Sequence, residues 1–530
     1  MKYKIFACLA SLLFFFNSVD AQTPSMPERP RIVVGITIDG LRSDYLSLFW
    51  NSLSKGGFKR LAEQGAVFPN VRYSYQSADA SVDVASFATG AEPYIHGIVG
   101  DSKFDRKLSR QVKSASDASV IGLSDTRTLS AKNLQCTSLA DELQEASING
   151  SKIVSVGIDP TKAILQLGHV GNCFWMNNIS GNWASSNYYM TSLPEWVQNI
   201  NNKKTIDTYL SKTWETMYPA GYYVSASTNG GSGFKYEVRA ACNGLHLYDN
   251  FATTPFANDY LCDFALEAIE QLKMGKDMIP DLMLLQFSAQ PFFLKAEFGL
   301  SMELEDAYLR LDKNLQWLFE NLDNKFGKDN VLIYLTTTRT DDAMKTTRMN
   351  PNVPGKSFNV DRYLALLNSY LMANYGQFKW VLSCGGGNIY LNRELIEEKG
   401  LNLKDVQNKA VEFFYLIPGV VNVATSFDLE QTYFALGSLR YAYYRESSGD
   451  LLYTLSPGWY EVDINNRPNG YKSNSSQTVP LYFYGWRIAP QLVSDQVDAA
   501  DAVFTLSRWL RIPAPNGSKG VVLPVKLNDK

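Results

Sequence analysis

The chain has 530 residues, of which 45% are hydrophobic and 19% are charged, a composition typical of folded globular proteins. Its formal net charge is −3, and no basic block occurs, which argues against nucleic acid as the main partner because phosphate binding needs clustered Lys and Arg. Only three histidines are present, which is little material for a zinc hydrolase site that draws on several imidazoles.

The N-terminal segment 1–21 is predicted to be a signal peptide. Two lysines precede an apolar stretch over Ile5–Phe16, and a Val-Asp-Ala sequence ends the segment at Ala21. A lipoprotein interpretation through Cys8 is weaker, because Cys8 precedes most of the apolar stretch. No later segment reaches ~20 apolar residues, so we expect no membrane-spanning segment after cleavage. The N-terminal segment therefore predicts an exported protein.

Predicted strands and helices alternate through the remaining residues, 22–530. The first strand, 31–38, is a continuous β-branched run of the kind that is buried on both faces of a parallel sheet. Further strands are predicted at 152–158, 281–287, 330–335 and 479–484, and helices at 57–65, 139–146, 303–322 and 499–510. This alternation predicts an α/β fold with a doubly wound, mostly parallel sheet flanked by helices, and ligands at the carboxyl ends of the strands.

Two stretches interrupt this alternation. Residues about 173–255 are rich in Asn, Ser, Tyr and Trp and are predicted to form an inserted cap, and residues about 430–475 a smaller insertion. Trp183, Tyr188 and Tyr189 are the candidate binding residues of the cap, because exposed aromatics among polar residues can bind sugars or proteins. The alternative is that these rings fill small irregular cores.

Five cysteines remain after signal cleavage, and no CxxC motif occurs. A zinc–thiolate site is therefore not expected. Most of the thiols are predicted to be small buried hydrophobes. One disulfide is compatible with an exported protein, either Cys242–Cys262 or Cys173–Cys242.

The segment Ile36–Tyr45 (Ile-Thr-Ile-Asp-Gly-Leu-Arg-Ser-Asp-Tyr) resembles the alkaline phosphatase superfamily, in the phosphodiesterase-like branch that includes bacterial periplasmic phosphatases. The resemblance is clearest in Ala88–Gly100. It continues in Gly56–Leu61, Glu305–Asp312, Val479–Trp486 and Thr505–Gly520. It implies the superfamily's fold and a site in which carboxylates and imidazoles at strand ends hold two divalent metals, usually zinc. A Thr or Ser between the metals would attack phosphorus.

Carried over residue by residue, the resemblance places one metal ligand at Asp39, and this carboxylate is retained. Ala80 falls at the position of the nucleophile, and its neighbour Ser81 could take that role only after a shift of register. Asp101 falls at a phosphate-contacting position, where its charge would repel a phosphate. Lys162 is the one positive charge that remains where some members have a basic pair.

The other expected ligand positions carry residues that cannot bind zinc as a carboxylate or an imidazole does. These positions are Pro291, Lys295, Thr338, Arg339 and Thr478. The cationic side chains of Lys295 and Arg339 would either preserve a pocket for an anionic ligand or neutralise Asp39. The second interpretation is favoured, since buried charge is tolerated only when it is paired.

Three weaker features also have alternative interpretations. The Gly385–Gly387 run could cradle an anion but is better explained as a turn. The carboxylate pairs Asp79/Asp83 and Asp341/Asp342 could bind Ca²⁺ or Mg²⁺, but such pairs are more often solvated surface. The three histidines are predicted to be hydrogen-bonded structural residues: His96, His169 and His246.

The leading interpretation is an exported, catalytically inactive pseudo-phosphatase that needs no cofactor and binds or scaffolds an envelope protein or a glycan. The alternative is a divergent metal-dependent phosphate-ester hydrolase, a phosphatase or phosphodiesterase. It would use Ser81 as nucleophile and a single divalent cation near Asp39, Asp79 and Asp83. A third interpretation places binding in the aromatic cap.

Overall fold

A computed structural model describes residues 29–76, 79–225, 233–244, 246–289, 300–339, 356–431, 437–456, 459–465 and 478–528. The predicted signal peptide lies outside the described residues. In chain order, strands β1 to β21 of the described residues are Ile32–Asp39, Ala66–Arg72, Ser102–Asp105, Arg110–Lys113, Gly122–Leu123, Ile153–Gly157, Asn172–Met176, Trp183–Ser186, Thr213–Glu215, Lys235–Glu237, Asp281–Ser288, Val331–Thr337, Lys356–Asn359, Val381–Gly385, Asn388–Leu391, Val420–Thr425, Leu451–Leu455, Trp459–Val462, Val479–Gly485, Gln491–Leu492 and Val497–Asp498.

The helices of the same ranges are numbered separately. In chain order, α1 to α18 are Ser43–Leu48, Phe58–Gln64, Ala80–Thr89, Pro93–His96, Leu139–Ala146, Pro160–Leu167, Glu195–Asn202, Ile206–Leu210, Val238–Ala241, Leu247–Phe251, Pro255–Gln271, Met302–Phe326, Val360–Tyr375, Arg393–Glu398, Leu403–Phe414, Ser426–Gln431, Gly437–Ala442 and Ala499–Leu510. None of these helices combines the length and the apolar content needed to cross a bilayer.

The main sheet has eleven strands within the described residues, in the order β20-β2-β19-β12-β1-β11-β6-β7-β8-β5, with β21 also paired to β2. Strands β12, β1, β11, β6 and β7 are parallel to one another. Strands β19 and β8 flank this parallel core in antiparallel pairing. The predicted α/β fold with a mostly parallel sheet is therefore confirmed.

Strand β1 lies at the centre of the sheet and is buried along its whole length. Because successive side chains of a strand point to opposite faces, Ile32, Val34, Ile36 and Ile38 join one core cluster and Val33 joins the other. Gly35 is required on this strand, since a Cβ there would lie 2.2 Å from the ring of Tyr334. The two clusters are the layers between the sheet and its flanking helices.

A second unit follows the main part of the sheet in the chain. It has a four-stranded sheet in the order β14-β15-β17-β16, and helices α13, α14 and α15 contribute to its separate hydrophobic core. The predicted insertion at about 430–475 contributes β17 and β18 to this larger unit, because β17 pairs with both β15 and β16.

The Gly385–Gly387 run is a turn of this unit. The amides of Gly386 and Gly387 donate hydrogen bonds to the buried carboxyl group of Glu461, at 2.8 Å and 3.2 Å. The group held by this turn is therefore a side chain of the protein itself. Burial raises the pKa of Glu461, against the opposing effect of these hydrogen bonds.

The predicted cap at about 173–255 begins inside the main sheet, because β7 and β8 are sheet strands. The rest of the described segment contains the two-stranded ladder of β9 and β10 and four short helices, α7 to α10. Its apolar side chains pack onto the same core layer as α11 and α12.

The five cysteines after residue 21 are free thiols, and neither of the two candidate disulfides is formed. Four of them are buried, as expected for small hydrophobes. Burial raises the pKa of Cys136 to about 12 and that of Cys242 to about 11, which disfavours the nucleophilic thiolate form.

Candidate functional site

A cleft of about 580 Å³ lies at the carboxyl edge of the parallel strands. Asp39 and Ser288 end the neighbouring strands β1 and β11 and lie opposite each other in register. The polar residues that line the cleft are Asp39, Lys113, Arg127, Asp159, Thr161, Lys162, Asn178, Asp249, Thr253, Gln286 and Ser288. The cleft is where ligands bind in open α/β sheets.

Asp39 is buried, and both of its carboxylate oxygens are engaged. Oδ2 accepts a hydrogen bond from Lys162 Nζ at 2.8 Å, and Oδ1 accepts one from the hydroxyl of Thr338 at 2.7 Å. Gly40 follows with φ of 76°, a left-handed conformation that suits glycine. Its amide donates to the Thr338 oxygen at 3.2 Å. The last carboxylate of β1 is therefore held from two sides.

Lys162 lies in the first turn of α6 with only 9% of its side chain exposed. A cation is disfavoured at a helix N-terminus, so its position depends on carboxylates. Its ammonium contacts Asp159 Oδ2 at 3.0 Å as well as Asp39. Burial alone would lower the pKa of Lys162, but the charges of Asp159, Asp39 and Asp101 outweigh burial and raise it well above its ordinary value. Lys162 is therefore a buried ammonium shared by two carboxylates.

Asp159 connects this ion pair to the helix. It is the N-cap of α6 and accepts hydrogen bonds from the amides of Thr161 (2.8 Å) and Lys162 (3.3 Å). Burial acts to raise its pKa, but the ammonium of Lys162 reverses the effect and lowers it. An N-cap aspartate before a proline at the first helical position is a standard helix start. Sequence reasoning missed its second role as a partner of the ammonium.

Arg339, just after β12, forms a second buried ion pair. Its Nε lies 3.0 Å and 3.1 Å from the two carboxylate oxygens of Asp83, and its backbone amide donates to the same group at 2.8 Å. The guanidinium lies over the rings of Tyr73 and Tyr75 at 4.7 Å and 4.8 Å from their centroids. Although burial acts to lower its pKa, Asp83 raises it above its ordinary value.

This pairing differs from the expectation that Arg339 neutralises Asp39, whereas the same expectation for Lys295 stays a prediction. The consecutive residues Thr338 and Arg339 reach different partners, so the hydroxyl meets Asp39 while the guanidinium meets Asp83. Among the described residues, Lys162 supplies a positive charge beside Asp39. Lys295 and Pro291 lie outside the described residues. Thr478 is partly buried immediately before β19.

Ala80 and Ser81 begin helix α3. The Ser81 hydroxyl is buried, does not line the cleft, and has no hydrogen-bond partner among the described residues. Its backbone amide donates to Asp101 Oδ1 at 3.1 Å, and the amide of Asp101 donates to Asp79 at 2.9 Å. A serine nucleophile needs access to substrate and an activating base or metal. In the described geometry Ser81 lacks the access and has no base in contact.

The described residues contain no group of three or more His, Cys, Asp or Glu side chains arranged to hold a metal ion. His96 is buried with Nε2 at 2.7 Å from the Ser86 hydroxyl, and burial lowers its pKa to about 3. His169 Nδ1 lies 2.8 Å from Asp141, in agreement with a structural role. The Asp39 carboxylate contacts the Thr338 hydroxyl and the Lys162 ammonium, and an ammonium cannot ligate a metal. The residues that the structure describes therefore do not by themselves make up a two-zinc site.

The three candidate aromatic residues of the cap do not form one surface. Trp183 is fully buried and stacks on Phe264 with ring centroids 4.1 Å apart. Tyr188 and Tyr189 are half-buried and pack against the core layer on the other side of the sheet. The Tyr189 hydroxyl donates to the carbonyl of Gly168 at 3.0 Å. The rings are therefore packing residues in this structure.

Comparison with known proteins gives the same fold and the family. The family model described as type I phosphodiesterase / nucleotide pyrophosphatase matches residues 33–474. Alkaline phosphatase PhoV of Synechococcus elongatus is 29% identical over 551 aligned residues, which cover 99% of each chain. Alkaline phosphatase PafA of Elizabethkingia meningoseptica is 28% identical, with 97% of each chain covered.

The crystal structure of wild-type alkaline phosphatase PafA superposes on this chain with a TM-score of 0.81 at 26% identity, covering 95% of this chain and 100% of that one. The similarity thus extends over the whole sheet and the second unit, and not over a single motif. The chain belongs to the type I phosphodiesterase / nucleotide pyrophosphatase family, within the alkaline phosphatase superfamily.

Proposed function

We propose that this protein is a non-catalytic member of its family that binds or scaffolds a partner in the cell envelope. One observation carries the proposal: the ammonium of Lys162 lies between the carboxylates of Asp39 and Asp159. In the alkaline phosphatase superfamily the position of Asp39 is expected to hold a metal. Here the same carboxylate is committed to an internal ion pair and a hydroxyl.

The charges that line the cleft are mixed. Among the described lining residues, the carboxylates of Asp39, Asp159 and Asp249 stand against the cations of Lys113, Arg127 and Lys162. The proposal therefore depends on how Asp39 is paired and not on repulsion of an anionic ligand. An envelope protein or a glycan is the proposed partner.

The second candidate is a divergent metal-dependent phosphate-ester hydrolase. It is favoured by the relatives, since PhoV and PafA are both named alkaline phosphatases and match along nearly their full length. On the comparisons alone this candidate is the better supported of the two. It requires the Ser81 hydroxyl to reach the cleft and a cation near Asp39 to displace Lys162. Because both changes oppose the observed geometry, we favour the non-catalytic proposal.

Export is part of the proposal. It is supported by the predicted signal peptide at 1–21 and by the absence of a membrane-spanning helix among the described residues. The proposed location is the periplasm, with the cell surface or secretion as alternatives.

A turnover assay separates the two candidates. The mature protein is incubated with p-nitrophenyl phosphate and with bis-p-nitrophenyl phosphate, once with EDTA and once with added Zn²⁺, and PafA serves as the positive control. We expect no hydrolysis above the buffer rate in either condition. Hydrolysis that is lost in Asp39→Asn or Ser81→Ala, but kept in Ser86→Ala on the same helix, would establish the hydrolase instead.

A further inference from the structure

We infer that a second cavity, separate from the cleft, is a binding site for an uncharged sugar unit of a glycan. The cavity has a volume of about 430 Å³ and lies between strand β8 and helices α7, α8 and α11. Its described lining residues and those of the cleft do not overlap. The inference rests on the proposed function and deepens it, because it selects the glycan as the partner and names where the glycan binds.

Two helix faces form the walls of this cavity. The lining residues of α11 follow the i, i+3, i+4, i+7 spacing of one helix face, and they are Tyr260, Asp263, Phe264, Glu267 and Gln271. The lining residues of α7 and its C-cap have the same spacing, and they are Trp196, Asn199, Ile200 and Lys203. The volume falls within the range of about 300–1,000 Å³ that is usual for small-molecule sites.

The inner end of the cavity is an aromatic wall. Trp183 stacks on Phe264 with ring centroids 4.1 Å apart, and its ring lies 4.7 Å from that of Tyr260. These three rings are at most 2% exposed. Trp196 is only partly buried, and its ring packs on Phe264 at a centroid distance of 5.0 Å. Trp196 therefore presents an accessible apolar ring that the wall holds in place from behind.

Polar side chains surround this ring at the mouth of the cavity. Four of them are exposed and one is partly buried, and they are Asn199, Lys203, Asp263, Gln271 and Glu267. Asp263 accepts a hydrogen bond from the Tyr209 hydroxyl, and Glu267 accepts one from Gln271 at 2.7 Å. Each carboxylate has lone pairs for further donors. Since carboxylates and an ammonium are both present, an uncharged ligand with hydroxyl groups can pair with all of them without meeting a like charge.

Trp183 distinguishes a sugar from an alkyl chain or an organic cation. Its indole N–H is buried and has no hydrogen-bond acceptor among the described residues. A buried donor without a partner is unfavourable. Neither an alkyl chain nor a quaternary ammonium can accept from it, whereas a sugar oxygen at the inner end of the cavity can. Sugars also have apolar C–H faces, which suit the ring of Trp196.

The test is isothermal titration calorimetry of the mature protein with three uncharged probes, cellotetraose, mannotetraose and chitotetraose. Tetramethylammonium chloride and tetragalacturonate represent the charged alternatives. We expect at least one uncharged probe to bind with a millimolar or lower Kd, and neither charged probe to bind. Binding of tetramethylammonium or tetragalacturonate alone, or of none of the five probes, would overturn the inference.

The variants locate the binding. Trp196→Ala should weaken it by at least about tenfold, as expected for a tryptophan that carries much of a contact. Trp317→Ala removes an exposed tryptophan outside the cavity and should leave the Kd unchanged. A Kd that Trp196→Ala leaves at the wild-type value would place the sugar elsewhere and refute the assignment.

If Trp196→Ala is not recovered as folded protein, Glu267→Ala takes its place, because it removes a carboxylate at the mouth without opening the aromatic wall. It should also weaken binding by about tenfold, the loss expected when a hydrogen bond to a charged group is removed, and an unchanged Kd would count against the inference. Phosphate-ester turnover would defeat the proposed function but leave the sugar titrations unchanged. Absence of both turnover and sugar binding would defeat this inference alone, so the two failures are distinguishable.

Discussion

Removing the guanidinium of Arg339 should strongly destabilise the protein, and removing its partner as well should restore much of the loss. Asp83 and Arg339 are both buried, with 1% and 8% of their surface exposed. In Arg339→Met, the Asp83 carboxylate would keep a hydrogen bond from the Tyr75 hydroxyl but lose its counter-charge. Breaking a buried ion pair in this way costs about 3–5 kcal/mol.

The double variant Asp83→Asn/Arg339→Met separates charge from packing. Replacing a whole buried ion pair by groups of similar volume is often close to neutral. The double variant should therefore be more stable than Arg339→Met alone, with a loss of roughly 1–2 kcal/mol from imperfect packing. This order of stabilities is the signature of an uncompensated buried charge, since a purely steric effect would make the double variant the least stable.

The assay is urea unfolding followed by tryptophan fluorescence, with apparent free energies compared between variants. The control is Lys113→Met, which removes a positive charge from an exposed position in the cleft wall. It shows how much stability is lost when a charge that is not buried is removed. A cost below about 1 kcal/mol for Arg339→Met would refute the reasoning, because it is the value expected of an exposed ion pair.

Three further results are expected. The hydrogen bond that protonated His169 donates to Asp141 raises the pKa of His169. The stabilisation from this contact is therefore complete below the ordinary value of 6.5 and is lost as pH rises through the raised value. The free energy of unfolding of the wild type, measured in urea, should therefore decrease as the pH rises through this range. The decrease should be smaller in His169→Gln. Trp183→Ala should lower the free energy of unfolding by about 3–5 kcal/mol, because it leaves a cavity where a fully buried ring was. Tyr188 is only half-buried, so Tyr188→Ala should lower the melting temperature by less than Trp183→Ala does. Equal decreases in melting temperature would contradict the burial argument. Ser81→Ala should be neutral or stabilising, by up to about 1 kcal/mol, because it removes a buried unpaired hydroxyl; a clear loss in chemical denaturation would show that the hydroxyl has a partner.

Asp39 ends β1 at the edge where the parallel strands bring their carboxyl ends together. Among the described residues, the ammonium of Lys162 lies beside this carboxylate. The proposed loss of catalysis rests on this arrangement, and the turnover assay tests it.

Local sequence determined the regular elements that pack on the main sheet. The β-branched run at 31–38 is β1, and the predicted helices at 139–146 and 499–510 are α5 and α18 with the same bounds. These segments have a clear periodicity or a continuous apolar run, which depends on nearest neighbours alone. The four-stranded sheet of the second unit was not predicted, because its strands are short and β17 pairs with β15 about sixty residues away in the chain.

At the site, the sequence by itself determined which residue types are present. Through the family resemblance it predicted that Asp39 is retained and that several ligand positions are replaced, and this stays a prediction. Only the tertiary structure decided their partners. Lys162 meets Asp39 across 123 residues of chain, and Arg339 meets Asp83 across 256. Such pairs depend on the order of the strands in the sheet and on the face of the sheet towards which each following segment turns. The sequence around a charged residue contains no information about either. The same holds for Trp183, because composition does not distinguish a ring that faces solvent from one that fills the core.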